Sequence, residues 1–493
     1  MALNEIKSFF VALFASTNPD ISAACEDLAI ENRLPNIQIE QSRAVTERED
    51  LPAFCQITGS IDPNIGFEAR FPLNKWNGKY YQAGCGGFCG RVLPDRETHS
   101  NAINHALRRG YATVTTDGGH QGISIGDASW ATNPVAEKTY AREVLPRTHA
   151  AAHQLIETLY GHGPEYSYFS GCSNGGRLAG KAVQEYPDLF DGVISGCPVL
   201  NLSHNGGIFG SWVMQANLDA NGQPILGISF KAKLPLLEAN ALAQCDALDG
   251  VVDGAIQKPF ACQVSLDPIA TCAGDNTSQC LTTEEKSVVR KLYDGAQNSN
   301  GEKLFYGAPA GSERYWGFWY LGSDERPAVG TLLAEGFLPY LGFAEDPKNY
   351  TALDFNFDTD VSKLVPQSAL LDAQNPDLSA FKKAGGKLIM WHGLADPLVL
   401  PQQSEAYYQA VRDTMGAAET DAFFRLFLAP GMGHCWELPA ALPDRMSMLQ
   451  ALENWVEKGI APDEVALKEF EQGPQTGRHG ALKPYPQQAV YSQ

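Results

Sequence analysis

Short apolar runs alternate with longer amphipathic runs between Asn74 and Val199. Strands are predicted for KYYQAG, YATVTTD, YSYFSG and DGVISGCPV, and helices for RTHAAAHQLIETLYG and RLAGKAVQEYP. Strands separated by helical segments of about 10 to 15 residues are typical of βαβ units, in which consecutive strands lie parallel. The pattern therefore predicts an α/β fold with a mainly parallel sheet.

The same alternation returns after residue 380. Strands are predicted for KLIMWHG and FFRLFLAPG, and helices for QQSEAYYQAVRDTMG and RMSMLQALENWVEKG. The intervening residues 201–375 lack the alternation and are rich in glycine, proline, aspartate and aromatic side chains. We therefore expect a core formed by residues 1–200 and 376–493, into which residues 201–375 are inserted as a lid domain.

The composition is that of a folded, acidic protein. The 493 residues include 57 Asp and Glu against 37 Lys and Arg, a formal net charge of −20. Nucleic-acid binding is not expected, because phosphate recognition requires clustered Lys and Arg. No apolar stretch approaches the roughly 20 residues that span a bilayer, so no membrane partner is expected. Residues 1–17 fit a weak secretory signal, a first helix or a truncated start.

Eleven cysteines are the unusual feature of the composition. They include no Cys-x-x-Cys pair and no accompanying histidine pattern, which disfavours a zinc site. Disulfide bonds are the favoured interpretation, and such bonds form in oxidising compartments. The odd total leaves at least one thiol outside any intramolecular pair.

The segment Gly171-Cys172-Ser173-Asn174-Gly175 matches the G-x-S-x-G nucleophile elbow. The motif requires glycines because the turn from strand to helix is too tight for side chains at those positions. Gly122–Gly126 matches the same expression, but no helical pattern follows Ser124. Ser173 follows a predicted strand and precedes a predicted helix, so we expect it to be the nucleophile.

In hydrolases with this elbow, the catalytic acid and then the histidine follow the serine in the chain. Asp396 follows the predicted strand KLIMWHG, and His434 lies in the glycine-rich loop after FFRLFL. We expect these two to be the acid and the base, although Asp396 also fits a turn cap before Pro397. His392 is interpreted as a packed strand residue. The inserted lid accounts for the long gap between Ser173 and Asp396.

An oxyanion hole requires two backbone N–H groups, one of them from the residue after the nucleophile. Asn174 supplies that group here. The glycine-rich run QAGCGGFCG follows a predicted strand, and we expect Gly86 or Gly87 to supply the second. A plain tight turn is the alternative interpretation of this run.

These residues together resemble a known family. Cys172-Ser173, Asp396 and His434-Cys435 resemble the CS-D-HC motif of the tannase and feruloyl esterase family. Segments similar to those of the family, among them WNGKYYQAG, YFSGCSNGG and GGKLIMWHGLADPLV, occur in the same order from Cys25 to Tyr485. The resemblance implies an α/β-hydrolase core with a large inserted lid and serine esterase activity.

The resemblance also implies disulfide bonds and a calcium ion. In the family, a bond joins the cysteines beside nucleophile and base, which are Cys172 and Cys435 here. Three further pairs are implied, namely Cys245–Cys262, Cys272–Cys280 and Cys25–Cys55. The implied structural Ca²⁺ site in the lid consists of the carboxylates of Asp246, Asp249 and Asp253 and the carbonyls of Val251 and Ala255. Such oxygen ligands suit a hard cation.

The chain departs from the family pattern at two places, and three cysteines stay unassigned. Lys483 stands where relatives carry a cysteine, so a C-terminal disulfide is not expected. Residues 436–438 replace the glycines that usually follow the base. Cys85, Cys89 and Cys197 have no assigned partner, and a local bridge and buried thiols are both open.

Aromatic side chains concentrate in the lid segment ERYWGFWYLG. Such residues can line an apolar slot for an aromatic acyl group, and Trp316 is the preferred contact, followed by Phe318 and Trp319. Packing within the lid is the alternative for each. Arg314 and Arg326 are candidate cations for the free carboxylate of a terephthalate monoester.

The resemblance implies an esterase that cleaves aryl esters of feruloyl, hydroxycinnamoyl or galloyl type through an acyl-serine intermediate. Hydrolysis of terephthalate monoesters or other small aromatic esters is the alternative. A hydrolase-fold binding module without activity is more remote, because Ser173, Asp396 and His434 are all present. We expect a secreted or periplasmic monomer or homodimer, with a small aromatic ester as substrate and Ca²⁺ as structural cofactor.

Overall fold

The computed structural model describes residues 21–31, 34–48, 50–96, 100–273, 277–435, 442–443, 445–468 and 479–492. The proposed signal in residues 1–17 and the departure from the family pattern at residues 436–438 lie outside the described residues.

A central sheet of nine strands forms the core within the described part of the chain. Its strands are β1 (Ile37–Val45), β2 (Phe54–Ile61), β3 (Ile65–Pro72), β4 (Lys79–Ala83), β5 (Ala112–Thr116), β6 (Tyr166–Cys172), β7 (Gly192–Gly196), β8 (Lys387–Gly393) and β9 (Phe424–Ala429). Their order across the sheet is β1-β2-β3-β5-β4-β6-β7-β8-β9.

Strands β4 to β9 form a parallel sheet, in which β4 lies between β5 and β6. At the other edge, β1, β2 and β3 are antiparallel, and β3 joins β5 antiparallel. Every residue of β5 and β7 is buried, as expected of a sheet covered by helices on both faces. The predicted α/β-hydrolase core with a mainly parallel sheet is confirmed. The antiparallel edge precedes the alternation that begins at Asn74.

The α-helices of the described residues are α1 (Ile21–Glu31), α2 (Asn104–Leu107), α3 (Pro134–Lys138), α4 (Val144–Tyr160), α5 (Asn174–Glu185), α6 (Gly210–Ala216), α7 (Leu234–Cys245), α8 (Thr283–Asp294), α9 (Val329–Tyr340), α10 (Val365–Leu371), α11 (Ser379–Lys383), α12 (Gln402–Met415), α13 (Ala417–Asp421) and α14 (Arg445–Lys458). Helix α5 packs on β6 and β7, α14 on β7 and β8, and α4 on β3 and β5.

Helix α4 illustrates why the periodic runs fold as they do. Its apolar residues recur at helical spacing and bury one face, which includes Leu145, Leu155 and Leu159. The helix ends at Gly161, whose φ of 79° is left-handed, a backbone conformation that glycine adopts without steric cost.

The segment between β7 and β8 contains α6 to α11. Its described residues contribute no strand to either sheet. The segment has a hydrophobic cluster of its own, which includes Leu237, Val288 and Trp316. A second cluster joins Phe337 of this segment to Phe88 and Ala395 of the core. The insertion therefore packs directly over the carboxyl ends of the parallel strands.

A second sheet of four antiparallel strands lies near the C-terminus of the described chain. Its strands are β10 (Leu442–Pro443), β11 (Val465–Lys468), β12 (His479–Leu482) and β13 (Val490–Ser492). The hydrophobic pattern did not predict this sheet, because strands of two to four residues are too short to show a period.

Five disulfides occur in the described part of the chain, and all four implied pairs are among them. The bonds are Cys25–Cys55, Cys85–Cys89, Cys172–Cys435, Cys245–Cys262 and Cys272–Cys280. Cys85 and Cys89 thus form the local bridge that the sequence left open, and Cys197 is buried outside these bonds. Among the described residues, no helix combines the length and apolar character needed to cross a membrane.

Candidate active site

Ser173 lies on the turn between β6 and α5. Its φ of 62° and ψ of −119° form a strained conformation for a residue with a side chain, as the nucleophile elbow requires. A Cβ on Gly171 would lie 2.5 Å from the carbonyl carbon of Gly175, and a Cβ on Gly176 would lie 2.4 Å from the carbonyl oxygen of Gly196. The glycines are therefore needed for close packing of backbone against backbone. Ser124, the other motif serine, lies on an exposed loop.

Asp396 follows β8 and is fully buried. Its Oδ1 accepts hydrogen bonds from the N–H groups of Leu398 and Val399, both at 2.9 Å. Its Oδ2 lies 2.6 Å from Nδ1 of His434 and 3.2 Å from Nε2 of His392. Burial by itself would raise the pKa of Asp396, but the charge of His434 and the hydrogen bonds from both imidazoles lower that pKa to about 2. The group is therefore a carboxylate under physiological conditions.

His434 lies in the loop after β9 and is buried. Because Nδ1 faces Asp396, Nε2 is the ring nitrogen that can exchange a proton in the cavity that His434 and Ser173 line together. The neighbouring Cys435 is bonded to Cys172, with a Cα–Cα distance of 6.1 Å. The edge-on ring of Trp319 lies 5.3 Å from the imidazole. The disulfide thus joins the residues beside Ser173 and His434.

The loop that carries Gly86 and Gly87 packs against the start of α5. The side chain of Asn174 donates to the carbonyl oxygen of Cys85 at 3.2 Å, and the Cys85–Cys89 bond closes the loop on itself. Gly87 has a φ of 59°, and a Cβ there would lie 2.2 Å from Ile125. The backbone of this loop therefore reaches the wall of the cavity that contains Ser173.

Two cavities meet at Ser173. The first, which we call the apolar cavity, is narrow, and no charged side chain occurs among its described lining residues, which include Phe88, Tyr140 and Phe209. The second, which we call the histidine cavity, is wider, and His434 contributes to its wall. Ser173 lines both cavities, so an ester bound at its Oγ can extend one group into each.

The lid aromatics divide between the cavities and the interior of the lid. Phe318 and Trp319 line the histidine cavity. Trp316, the preferred substrate contact in the sequence analysis, requires correction. It is 1% exposed within the lid cluster, and its indole N–H donates to Ser312 Oγ at 3.0 Å, so it packs inside the lid.

The two lid arginines that are candidate substrate contacts lie in different places. Arg326 lines the histidine cavity, where Arg96 and Lys231 join it. Arg314 does not line either cavity and forms an ion pair with Glu238. Arg96 and Lys231 could not be predicted from the sequence, because only the fold brings these segments together. His392 was expected to be a packed strand residue, and its imidazole contact with Asp396 was not foreseen.

The candidate calcium loop is partly ordered by its own carboxylates. The oxygens of Asp246 accept from the N–H groups of Asp253 at 3.3 Å and Gly254 at 2.9 Å, and Oδ1 of Asp249 accepts from Val251 at 2.9 Å. Oδ2 of Asp249 is buried without a hydrogen-bond partner in the described structure, which fits a cation ligand. Among the described residues, however, the three carboxylates do not converge within 4.8 Å of one another.

The parallel sheet, the serine elbow and the Asp396–His434 pair define a protein of the α/β-hydrolase class. The family model for tannase and feruloyl esterase matches residues 45–493. The chain therefore belongs to the tannase and feruloyl esterase family, and it is a carboxylic ester hydrolase.

Individual relatives agree with this assignment. An uncharacterized esterase of Xanthomonas campestris is 35% identical, over 96% of this chain and 90% of the relative. Mono(2-hydroxyethyl) terephthalate hydrolase of Piscinibacter sakaiensis is 30% identical, over 95% of this chain and 89% of the relative. The crystal structure of feruloyl esterase B from Aspergillus oryzae superposes with a TM-score of 0.81 at 26% identity, over 95% and 96% of the two chains.

Proposed function

We propose that this protein hydrolyses aryl carboxylic esters of hydroxycinnamoyl or galloyl type through an acyl-serine intermediate. The observation that carries the proposal is the position of Ser173 at the junction of two cavities, one of them apolar and partly aromatic. An aromatic acyl group gains hydrophobic burial and ring contacts in such a cavity.

The proposed reaction has two steps. Ser173 Oγ attacks the ester carbonyl while His434 takes the hydroxyl proton, and the protonated imidazole then protonates the leaving alcohol. Asp396 holds Nδ1 of the imidazole and stabilises its charged form. The amides of Asn174 and of Gly86 or Gly87 would hold the oxyanion. Water, activated by the same base, releases the acid.

The two cavities can be assigned to the two parts of the ester. His434 must reach the leaving oxygen in order to protonate it, so the alcohol part belongs in the histidine cavity. The acyl part then occupies the apolar cavity, whose described lining excludes His434 and includes Tyr320 beside Phe88 and Tyr140. Hydroxycinnamoyl and galloyl groups are uncharged aromatic acyl groups and match this lining.

The similarity to mono(2-hydroxyethyl) terephthalate hydrolase supports a second candidate substrate class, the terephthalate monoesters. The acyl group of such an ester carries a free carboxylate. The described lining of the apolar cavity contains no cation to meet that charge. We therefore rank these substrates below the uncharged aryl esters.

A panel of four esters, assayed side by side, tests the proposal. Methyl ferulate, methyl gallate and chlorogenic acid represent uncharged acyl groups, and a terephthalate monoester represents the second candidate. We expect the best uncharged acyl group to exceed the terephthalate monoester about tenfold or more in kcat/KM. A preference of similar size for the terephthalate monoester would overturn the ranking, and hydrolysis of none of the four would overturn the proposal.

We also propose that Asp246, Asp249 and Asp253, with the carbonyls of Val251 and Ala255, hold a structural Ca²⁺ in the lid. The unpartnered carboxylate oxygen of Asp249 and the acidic character of the loop support this site. Because the loop is already linked by Cys245–Cys262, the ion would stabilise the lid and take no part in the chemical steps. The five disulfides further support a secreted or periplasmic location.

A further inference from the structure

Three cationic side chains line the histidine cavity. Arg96 comes from the loop after β4, Lys231 from the turn before α7, and Arg326 from the loop before α9. These segments are far apart in the chain, and the fold brings them to the lining of the cavity that also contains His434. The apolar cavity on the other side of Ser173 has no charged residue in its described lining. The positive charge is therefore confined to one side of the nucleophile.

The described structure does not neutralise these cations with carboxylates. None of the three forms an ion pair within the described residues, and no Asp or Glu occurs in the described lining of the histidine cavity. Asp324 and Glu325 precede Arg326 in the chain but lie outside that lining. Burial and the charge of Arg91 lower the pKa of Arg96.

Three other cations of the lid are paired with carboxylates. Arg314 forms an ion pair with Glu238, Lys233 with Glu285 at 2.5 Å, and Lys363 with Asp360 at 2.6 Å. The whole chain has 20 more acidic than basic residues. Against this acidic composition, the described lining of the histidine cavity combines three cations with no carboxylate, and its position at the catalytic histidine points to a ligand with negative charge.

We propose that the three cations form a subsite for a carboxylate on the alcohol part of the substrate, so that the preferred ester is an aryl ester of a hydroxy acid. This inference rests on the proposed function, because it uses the requirement that the leaving alcohol lies beside His434. Guanidinium groups bind carboxylates through paired hydrogen bonds, and Lys231 adds a third positive charge. Hydrolysis breaks the acyl C–O bond, takes up one water and releases the aryl acid and the hydroxy acid.

The test compares two esters that share the feruloyl group and differ in the charge of the alcohol. Carboxymethyl ferulate carries a carboxylate, and carbamoylmethyl ferulate carries an amide of nearly the same shape. We expect the full-length protein to favour the carboxylate ester about tenfold in kcat/KM at low salt, mainly through KM. Added salt should reduce this preference, because ions screen charges at exposed sites.

Substitutions Arg96→Gln, Lys231→Met and Arg326→Gln should each reduce the preference about threefold or more, and the triple variant should abolish it. Arg314→Gln removes a lid cation outside both cavities and is the matched control. It should leave the preference unchanged. Thermal melting of each variant separates a binding effect from loss of folding.

A ratio of kcat/KM near one for the two esters with the wild type would overturn the carboxylate subsite. Folded variants that lose kcat/KM equally for both esters would overturn it as well. These results differ from a failure of the proposed function, in which neither ester would be hydrolysed. If Arg314→Gln reduced the preference as much as Arg326→Gln, the effect would come from overall charge, and the subsite would again be overturned.

Discussion

Asp396 accepts four hydrogen bonds, and one of them comes from a second imidazole. Nε2 of His392 lies 3.2 Å from Oδ2 of Asp396 and 2.8 Å from the carbonyl oxygen of Val399. Both neighbours are acceptors, so this nitrogen carries a proton. Nδ1 of His392 lies 2.7 Å from Ser404 Oγ. His392 and His434 therefore share one carboxylate oxygen, and His392 is a positioning residue for the acid.

Replacing His392 tests this role. In His392→Phe, the carboxylate of Asp396 loses one hydrogen-bond donor and keeps the bond to His434. Its negative charge then acts on His434 alone of the two imidazoles and stabilises the protonated form of that base more strongly. We expect the acid limb of kcat/KM to move to higher pH and kcat to fall about tenfold. Ser404→Ala keeps the Nε2 donor and is the control. An unchanged pH profile in a folded His392→Phe protein would contradict the role.

The residues of the site differ in how far the sequence could predict them. Ser173, Asp396 and His434 each follow an apolar strand, and this local context is visible in the chain. The direction in which an aromatic side chain points cannot be read from the sequence. Trp316 and Trp319 stand three positions apart, and packing alone decides that one enters the lid core and the other the cavity.

At the scale of elements, the Cys172–Cys435 bond joins the start of the nucleophile turn to the loop that carries the base. The two cysteines are 263 residues apart in the chain, and both are buried. Loop-closure entropy gives such a bond on the order of 5 kcal/mol of stability. Its geometric effect is more direct, because relative movement of the two loops would separate Ser173 from His434.

The double variant Cys172→Ala/Cys435→Ala should lower kcat about tenfold or more, even where the protein remains folded. Both cysteines are replaced because the sulfur of Cys197 lies within 4.8 Å of theirs, and a single variant would leave a thiol beside it. The control is Cys25→Ala/Cys55→Ala, which removes a disulfide remote from the site. Equal kcat in both double variants would contradict a catalytic benefit of the bond.

The lid contains a carboxyl group that links its stability to pH. Glu313 is fully buried, and burial outweighs the hydrogen bond from Tyr293 and raises the pKa of Glu313 to about 7. An unfolded glutamate titrates near pH 4.3. The folded state therefore binds the proton more tightly than the unfolded state. The stability that this proton contributes to the folded state is lost as the pH rises from about 4 through 7.

Glu313→Gln removes this titration while keeping the size of the side chain. The melting temperature of the wild type should fall more between pH 5 and pH 8 than that of the variant, as calorimetry can measure. Glu325→Gln, at an exposed position of the lid, should behave like the wild type. Parallel pH dependences of the wild type and Glu313→Gln would exclude Glu313 as the titrating group.

The proposed Ca²⁺ site predicts that a chelator lowers the stability of the lid. A chelator is expected to lower the melting temperature by several degrees and to leave kcat at saturating substrate nearly unchanged, because a ligand of the folded state stabilises by mass action. Asp249→Asn should reduce the difference in melting temperature between the protein with added calcium and the protein with chelator. Identical melting curves with and without chelator would argue against the site.

At the scale of the whole molecule, the hydrophobic pattern predicts the parallel half of the main sheet and the insertion. It does so because β4 to β9 are apolar runs separated by amphipathic helices. The antiparallel edge of β1 to β3 and the small C-terminal sheet escape it, since partly exposed or very short strands carry a weak periodic signal. Those strands form because of their pairing with strands from other parts of the chain.

The charge distribution is likewise a property of the whole molecule. The net charge of −20 is a sum over the whole chain, while the three cations of the histidine cavity line one cavity beside Ser173. Their positions in the sequence give no indication of this, because loops from the core and the lid supply them separately. Only the folded chain shows that the nucleophile lies between an uncharged cavity and a cationic one.

Ser173 is the proposed nucleophile for the hydrolysis of aryl esters. The most direct test of this role is the release of ferulic acid from methyl ferulate by the wild type and by Ser173→Ala, at equal concentrations of protein with the same melting temperature. We predict rapid release by the wild type and a loss of at least about 10⁴-fold in kcat for the variant. Retention of the wild-type rate by a correctly folded Ser173→Ala protein would contradict the account.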